Sequence, residues 1–418
     1  MRNLLLALLA TCLLPAVSFA VQEDQTNSRI LIDHLPDDQA ERIWAWTQEL
    51  IEEGEVAGAS AQIVRGGKVV YRGTHGELEL GSGRAVEGDS LFRIYSMTKA
   101  VTSVAVMQLV EQGKIGLDDP IAQYLPEWEG VTVLVEAGDG TWTEVPAETP
   151  LSVRHLMRHT AGLTSSSFDR GEIAKRYRAE ERKGRAKTLE ELSQRLASLP
   201  LKHEPGSSWT YGQSTNVLGR LVEVVAERPF DTYLQEEIFN PLGMVDTSFR
   251  VADEDLPRLA AVHEVGRDKK IARVAKGYLA PFRVERPVPL GASGLISTLE
   301  DYGRFQAMLL GDGAFGEVRL LKEDSVAQML DPHEGKAQVP LARFGLGFML
   351  RGTKANWRDL RFASWSGMAR TYFVNDHRTE TGSLLFTQTV PFAFNPGNDF
   401  AAMLEEVLLA EEVSSEED

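Results

Sequence analysis

The chain has 418 residues, 43% hydrophobic and 25% charged, enough to build two domains or one two-lobed fold around a large buried core. Forty-four basic against 61 acidic residues leave a formal net charge of −17, which argues against nucleic-acid binding and against a general affinity for anionic membranes. Arg2, an almost wholly apolar stretch over residues 4–17, and Ser18-Phe19-Ala20 predict a signal peptide over residues 1–20, cleaved after Ala20. That stretch falls short of the roughly 20 residues that span a bilayer. The single cysteine, Cys12, lies inside it, so the mature chain is expected to lack disulfides and thiol chemistry. This fits a bacterial periplasmic or secreted protein with no membrane contact after cleavage.

A polar linker over residues 21–27 precedes a helical pattern from Pro36-Asp37-Asp38 to about Glu53, with Ile43, Trp46, Leu50 and Ile51 at helical spacing. Two β-like runs follow, residues 59–64 and 68–71, joined by Gly66-Gly67 as in a tight hairpin. Ser96-Met97-Thr98-Lys99 then leads directly into the apolar helical run over residues 100–107. Three residues apart on a helix, Ser96 and Lys99 share a face. A hydroxyl is a poor nucleophile until its proton is removed, and a lysine in apolar surroundings gives up its own proton more readily. Roughly one S-x-x-K is expected by chance in a chain of this length, so the weight of the motif comes from what surrounds it.

Helical patterns dominate residues 98–234. Within them, residues 168–197 are highly charged and read as a surface insertion, either a solvated cap or a lid over a cleft. Glu204-Pro205-Gly206 marks a turn before Trp209-Thr210-Tyr211, and Ser214-Thr215-Asn216 opens a helix that reads as buried. β-like runs return at residues 344–350, 371–374 and 383–387, with Ser364-Trp365-Ser366-Gly367-Met368 opening onto the second of them. A last helix is expected over residues 398–410 and a disordered acidic tail over residues 411–418. Strands, a long helical middle and strands again predict an α+β fold: an antiparallel sheet flanked by helices, with an inserted all-helical domain. The sheet domain is expected from residues 37–92 and 290–410, the helical one from residues 93–289.

Rival chemistries are poorly supported. No G-x-S-x-G elbow occurs, and Gly291-Ala292-Ser293-Gly294 has the wrong spacing for one. His155 and His159 stand four apart like a zinc-binding pair, but Leu156 occupies the place where that pattern needs Glu. No phosphate loop or dinucleotide fingerprint appears, so neither a cofactor nor a metal is expected.

Taken together, these motifs resemble the serine β-lactamase and penicillin-binding-protein-like superfamily. The similarity is to its class C-like branch, with the family VIII carboxylesterases and the statin-biosynthesis acyltransferase. It covers residues 56–388. Its motifs are residues 92–99, 113–120, 154–163, 241–249 and 291–298, the Tyr211 segment and the Trp365 segment. The resemblance implies Ser96 as nucleophile, Lys99 as its partner and Tyr211 as the proton relay to the leaving group. It implies an oxyanion hole from the backbone N–H groups of Ser96 and Met368, and a substrate-lining strand through Trp365, Ser366 and Gly367. Two positions depart from the pattern. Tyr211-Gly212-Gln213 stands where Tyr-Ser-Asn is usual, so Gln213 takes the place of the amide-bearing Asn. Trp365-Ser366-Gly367 stands where Lys-Thr-Gly is usual, removing the cation that would hold a β-lactam carboxylate. Arg370 offers either a substitute cation or a surface salt bridge. The expectation is an exported serine hydrolase of small carboxylic esters. The alternatives are a β-lactamase, a D-amino-acid peptidase or acyltransferase on the same scaffold, and a penicillin-recognising receptor that acylates without turnover.

Overall fold

The structure is a computed structural model that describes residues 28–31, 37–268, 270–274, 288–332, 343–352, 360–390, 400 and 402–403. The expected signal peptide, the linker, the acidic tail and most of the expected helix over residues 398–410 lie outside the described residues.

A short strand β1 (Ser28–Leu31) and helix α1 (Asp37–Glu52) come first. β2 (Gly58–Arg65) and β3 (Lys68–Gly76) then form a hairpin. Gly66 and Gly67 both take positive φ, 53° and 74°, as a two-residue turn matched to strand twist requires. The other half of the sheet comes from the far end of the chain: β4 (Arg343–Phe344), β5 (Met349–Arg351), β6 (Phe362–Ser366), β7 (Tyr372–Asp376) and β8 (Thr381–Phe386). The order is β1-β3-β2-β8-β7-β6-β5-β4, with every neighbour antiparallel. β2 pairs with β8, Ala61 opposite Leu385, and this pairing knits the two chain halves together.

Both faces of the sheet are covered, which is why β2 and β8 are buried almost throughout. Successive strand residues point to opposite faces, so Leu385 packs with Ala40, Ile43 and Leu50 of α1, while Leu384 packs with Tyr302 and Phe305 on the other side.

Between the two halves the chain builds α2 (Thr98–Glu111), α3 (Gly171–Glu181), α4 (Leu189–Ala197) and α5 (Ser214–Ala226). It then returns through α6 (Leu299–Leu310), which lies on the sheet. Where it leaves and re-enters, Phe92–Arg93 pairs with Ile296–Ser297. α2 is buried from Thr98 to Leu109 and packs on α5, the behaviour of a helix apolar on every side.

Two expectations need correction. The middle region is not helical throughout, because Thr132–Glu136 and Trp142–Pro146 form an antiparallel hairpin within it. Residues 344–350 are not one strand but the hairpin of β4 and β5. Gly347 turns there with φ 99°, so close to α2 that a Cβ would lie 2.1 Å from Ser103 Oγ. Such an approach excludes every other residue. Among the described residues no helix is long and apolar enough to cross a membrane.

Candidate active site

Ser96 stands in the 3-10 turn Tyr95–Met97, which runs straight into α2. The Ser–Lys pair therefore straddles the junction rather than lying within the helix. Tyr95 takes φ 44°, in the left-handed region that few non-glycine residues adopt. Its neighbours hold it there. Ile94 N–H donates to Leu295 O at 3.1 Å, Tyr302 OH to Met97 O at 3.1 Å and Thr371 Oγ1 to Ile94 O at 3.3 Å. Backbone strain kept in place by surrounding contacts is characteristic of functional sites.

Lys99 is 4% exposed, and its Nζ donates to Ser96 Oγ at 3.2 Å and to Ala292 O at 2.8 Å. Tyr211 OH donates to the same Ser96 Oγ at 2.8 Å. Lys99 Nζ lies 4.8 Å from the centre of the Tyr211 ring. Three groups separated by up to 115 positions thus meet around one oxygen.

The segment that carries Tyr211 is fastened to the chain that follows helix Val153–Met157. Thr210, Gly206 and Lys202 N–H groups donate to the carbonyls of His159, Thr160 and Gly162, each at 2.8 Å. Gly212 completes the contact. A Cβ there would lie 2.5 Å from Leu163 O and 2.5 Å from Thr164 Cα, so the departure from serine at this position is a packing requirement. Gly212→Ala is expected to push Tyr211 off Ser96. Turnover should fall about 10- to 100-fold, because sub-ångström placement governs proton transfer, and stability by about 1–3 kcal/mol from overpacking. Steady-state kinetics and a thermal melt of the variant check both.

The remaining expected residues are placed as follows. Trp365 on β6 is 8% exposed and stands beside Tyr211, with ring centres 5.6 Å apart, and nearly parallel to His159 at 6.4 Å. Gly367 abuts the nucleophile turn, where a Cβ would meet Ile94 O at 2.4 Å. Its N–H donates to Thr371 O at 2.7 Å, closing the turn that presents Met368, which packs in one cluster with Tyr95. Ser366, half-buried, ends β6 beside it. Gln213 Oε1 accepts from Asn216 Nδ2 at 2.6 Å, and Asn216 Oδ1 accepts from Ala292 N–H at 2.9 Å.

Asn216 and Ala292 are the site residues that sequence reasoning missed. Together they link Gln213 to the carbonyl that receives Lys99. The available signal was Ser214-Thr215-Asn216, three polar side chains opening a helix that reads as buried. Arg370 is not a substitute cation for the cleft; it makes the ion pair that was the other expectation, but a buried one. Its guanidinium is buried, φ is 62°, and Nη1 donates to Glu55 O and Glu55 Oε2, both at 3.1 Å. His155 and His159 do not form a metal pair. His155 closes a capping box with Ser152, while His159 is buried among the rings of Trp209, Tyr211, Phe344 and Trp365.

Burial, with the Lys99 charge second, holds the His159 imidazole down at about 3. Burial alone holds His75, on β3, at about 4, and among the described residues neither of its ring nitrogens has a hydrogen-bond partner. Both are neutral in the folded chain at pH 5, whereas unfolded histidines take up protons below about 6.5. The unfolded state therefore binds more protons as pH falls. The stability these residues contribute is complete above pH 6.5 and lost progressively towards the folded values. Thermal midpoints should drop between pH 7 and pH 5, and His75→Leu should flatten that slope. An unchanged slope in the variant would contradict the assignment.

Comparison with known proteins bears on the family and the fold. A family model described as Beta-lactamase matches residues 43–408. An uncharacterized protein of Mycobacterium tuberculosis is 34% identical over 283 residues, 68% of this chain and 69% of the relative. Esterase EstB of Burkholderia gladioli is 30% identical over 283 residues, 63% of this chain and 68% of that protein. Among solved structures, unliganded simvastatin synthase from Aspergillus terreus has a TM-score of 0.77 at 22% identity, covering 90% of this chain and 99% of that one. EstCE1, described as a hydrolase with promiscuous acyltransferase activity, has a TM-score of 0.74 at 24% identity, covering 88% and 98%. These two share the fold. The match over most of the chain, on a sheet and helices arranged in the same way, means that this chain belongs to the Beta-lactamase family and is an enzyme of its serine-hydrolase kind.

Proposed function

We propose that the chain hydrolyses small carboxylic esters through an acyl-enzyme on Ser96. The observation that carries this reading is the convergence of Lys99 Nζ and Tyr211 OH on Ser96 Oγ, at 3.2 and 2.8 Å. Ser96 Oγ attacks the ester carbonyl as its proton passes to Tyr211, which enters the step as the phenolate beside the Lys99 cation and leaves it as the phenol. The tetrahedral oxygen is received by the N–H groups of Ser96 and Met368, the second carried on the turn that Gly367 docks against Ile94. Tyr211 then delivers a proton to the departing alkoxide, and water resolves the acyl-enzyme by the same path in reverse.

Trp365 favours esters over β-lactams, because its indole beside Tyr211 supplies no positive charge for a carboxylate. The esterase relative supports the same preference. Export rests on the apolar N-terminal stretch that ends in Ser18-Phe19-Ala20. The test is incubation with p-nitrophenyl esters and, separately, nitrocefin. Multiple turnovers of ester with slow nitrocefin loss are expected. A single stoichiometric burst would indicate a trapped receptor, and rapid nitrocefin loss a β-lactamase.

A further inference from the structure

A cavity of about 730 Å³ is lined by sequence neighbours of the reacting groups, and its size is well within the range that encloses a drug-sized ligand. One wall consists of immediate neighbours of the reacting groups: Tyr95 before Ser96, Gln213 after Tyr211, and Ser293 after the carbonyl that holds Lys99. The facing wall is apolar. Leu192 and Leu196, one helical turn apart on α4, point into it, opposite Phe249, Leu290 and Leu295. The charged insertion over residues 168–197 thus turns a leucine stripe inward and keeps its charges at the rim. There Arg195 pairs with Glu191 and donates to Gly184 O at 2.8 Å, with Glu180 Oε1 at 4.0 Å. Arg195, Glu191 and Glu180 are thus engaged with each other, while Glu181, Arg185 and Lys187 of the same insertion also border the cavity.

The geometry points to this cavity as an acyl pocket for an uncharged, apolar chain or ring system of about eight carbons or more. The inference rests on the ester reading of Ser96 and deepens it by naming the substrate class. The acyl side is assigned from the proton relay. Tyr211 serves the departing alcohol, and the cavity wall starts at the neighbours of Ser96 and Tyr211 and includes neither of the two. The oxyanion faces the Ser96 and Met368 N–H groups, so the remaining substituent of the carbonyl carbon, its acyl chain, is the one left to enter. In this arrangement α3 and α4 form one wall of the specificity pocket.

The experiment compares kcat/KM for p-nitrophenyl acetate, butyrate, octanoate and decanoate, and for ethyl, butyl and octyl acetates. Each methylene taken from water is worth about a threefold gain. The octanoate-to-acetate ratio should therefore exceed tenfold, with little dependence on alcohol length. Leu192→Trp and Leu290→Trp, each checked for folding by circular dichroism, should lower that ratio at least tenfold by filling the cavity. A profile that is flat or falls beyond butyrate overturns the inference. So does a preference that follows the alcohol, or an unchanged ratio in both folded variants. Should the wild type cleave no ester at all, the ester reading fails by itself. Calorimetric binding of octanoate, weakened by Leu192→Trp, would then support the cavity, and absence of binding would overturn it.

Discussion

Replacing Ser96 with alanine is expected to lower ester turnover by about 10³-fold or more while leaving the thermal midpoint close to that of the parent. The loss is large because Ser96 Oγ is the atom on which the whole constellation converges. Without it, Tyr211 OH loses its acceptor, and among the described residues Lys99 Nζ keeps Ala292 O at 2.8 Å. The fold should survive because the turn is held by backbone and by groups other than the hydroxyl. These are the contacts of Ile94 with Leu295 and of Met97 with Ile94 and Tyr302. Stopped assays and differential scanning calorimetry on one preparation separate the two effects. Near-parental activity in a folded Ser96→Ala protein would remove the mechanism.

Tyr211→Phe is the second large effect, with an expected loss of about 10²- to 10⁴-fold, the usual weight of a positioned acid–base group. The substitution deletes one oxygen and keeps the ring. The ring is held edge-on by Phe168 at 4.9 Å and tilted against His159 at 5.1 Å and Trp365 at 5.6 Å. Ground-state binding should therefore change little, so kcat should fall far more than KM rises. Pre-steady-state kinetics should show that acylation has become slow. A fall in apparent affinity with kcat retained would contradict the relay role and reduce Tyr211 to a wall of the cleft.

Local chemistry made some of this legible before any coordinate was known. Gly66-Gly67 announced its hairpin because positive φ at two successive positions is a backbone demand that glycine alone meets cheaply. Ser96 and Lys99 were legible because their separation places them together regardless of what the rest of the chain does. Tyr211 was found through the resemblance of its flanking segment, and its distance from Ser96 follows from the fastening of that segment to residues 159–162 and from the packing of α5 on α2.

What stayed hidden depended on contacts between remote segments. Gly212 looked like a departure from a motif, and its reason is the backbone of Leu163 and Thr164, some fifty positions earlier. Arg370 read as a surface or cleft cation because its partner, Glu55, comes from the opposite end of the chain. The run at residues 344–350 matched a strand in composition, yet α2 presses on Gly347 and folds the run into a hairpin. The leucine stripe of α4 was masked by the density of charge around it.

The most direct measurement is peptide mapping of an acid-quenched reaction with p-nitrophenyl butyrate under turnover conditions. The account predicts one butyryl group on the peptide that contains Ser96, absent from Ser96→Ala and accumulating when added water or competing alcohol is scarce. Butyryl on another residue, or steady turnover with Ser96 unmodified at every quench time, would contradict it.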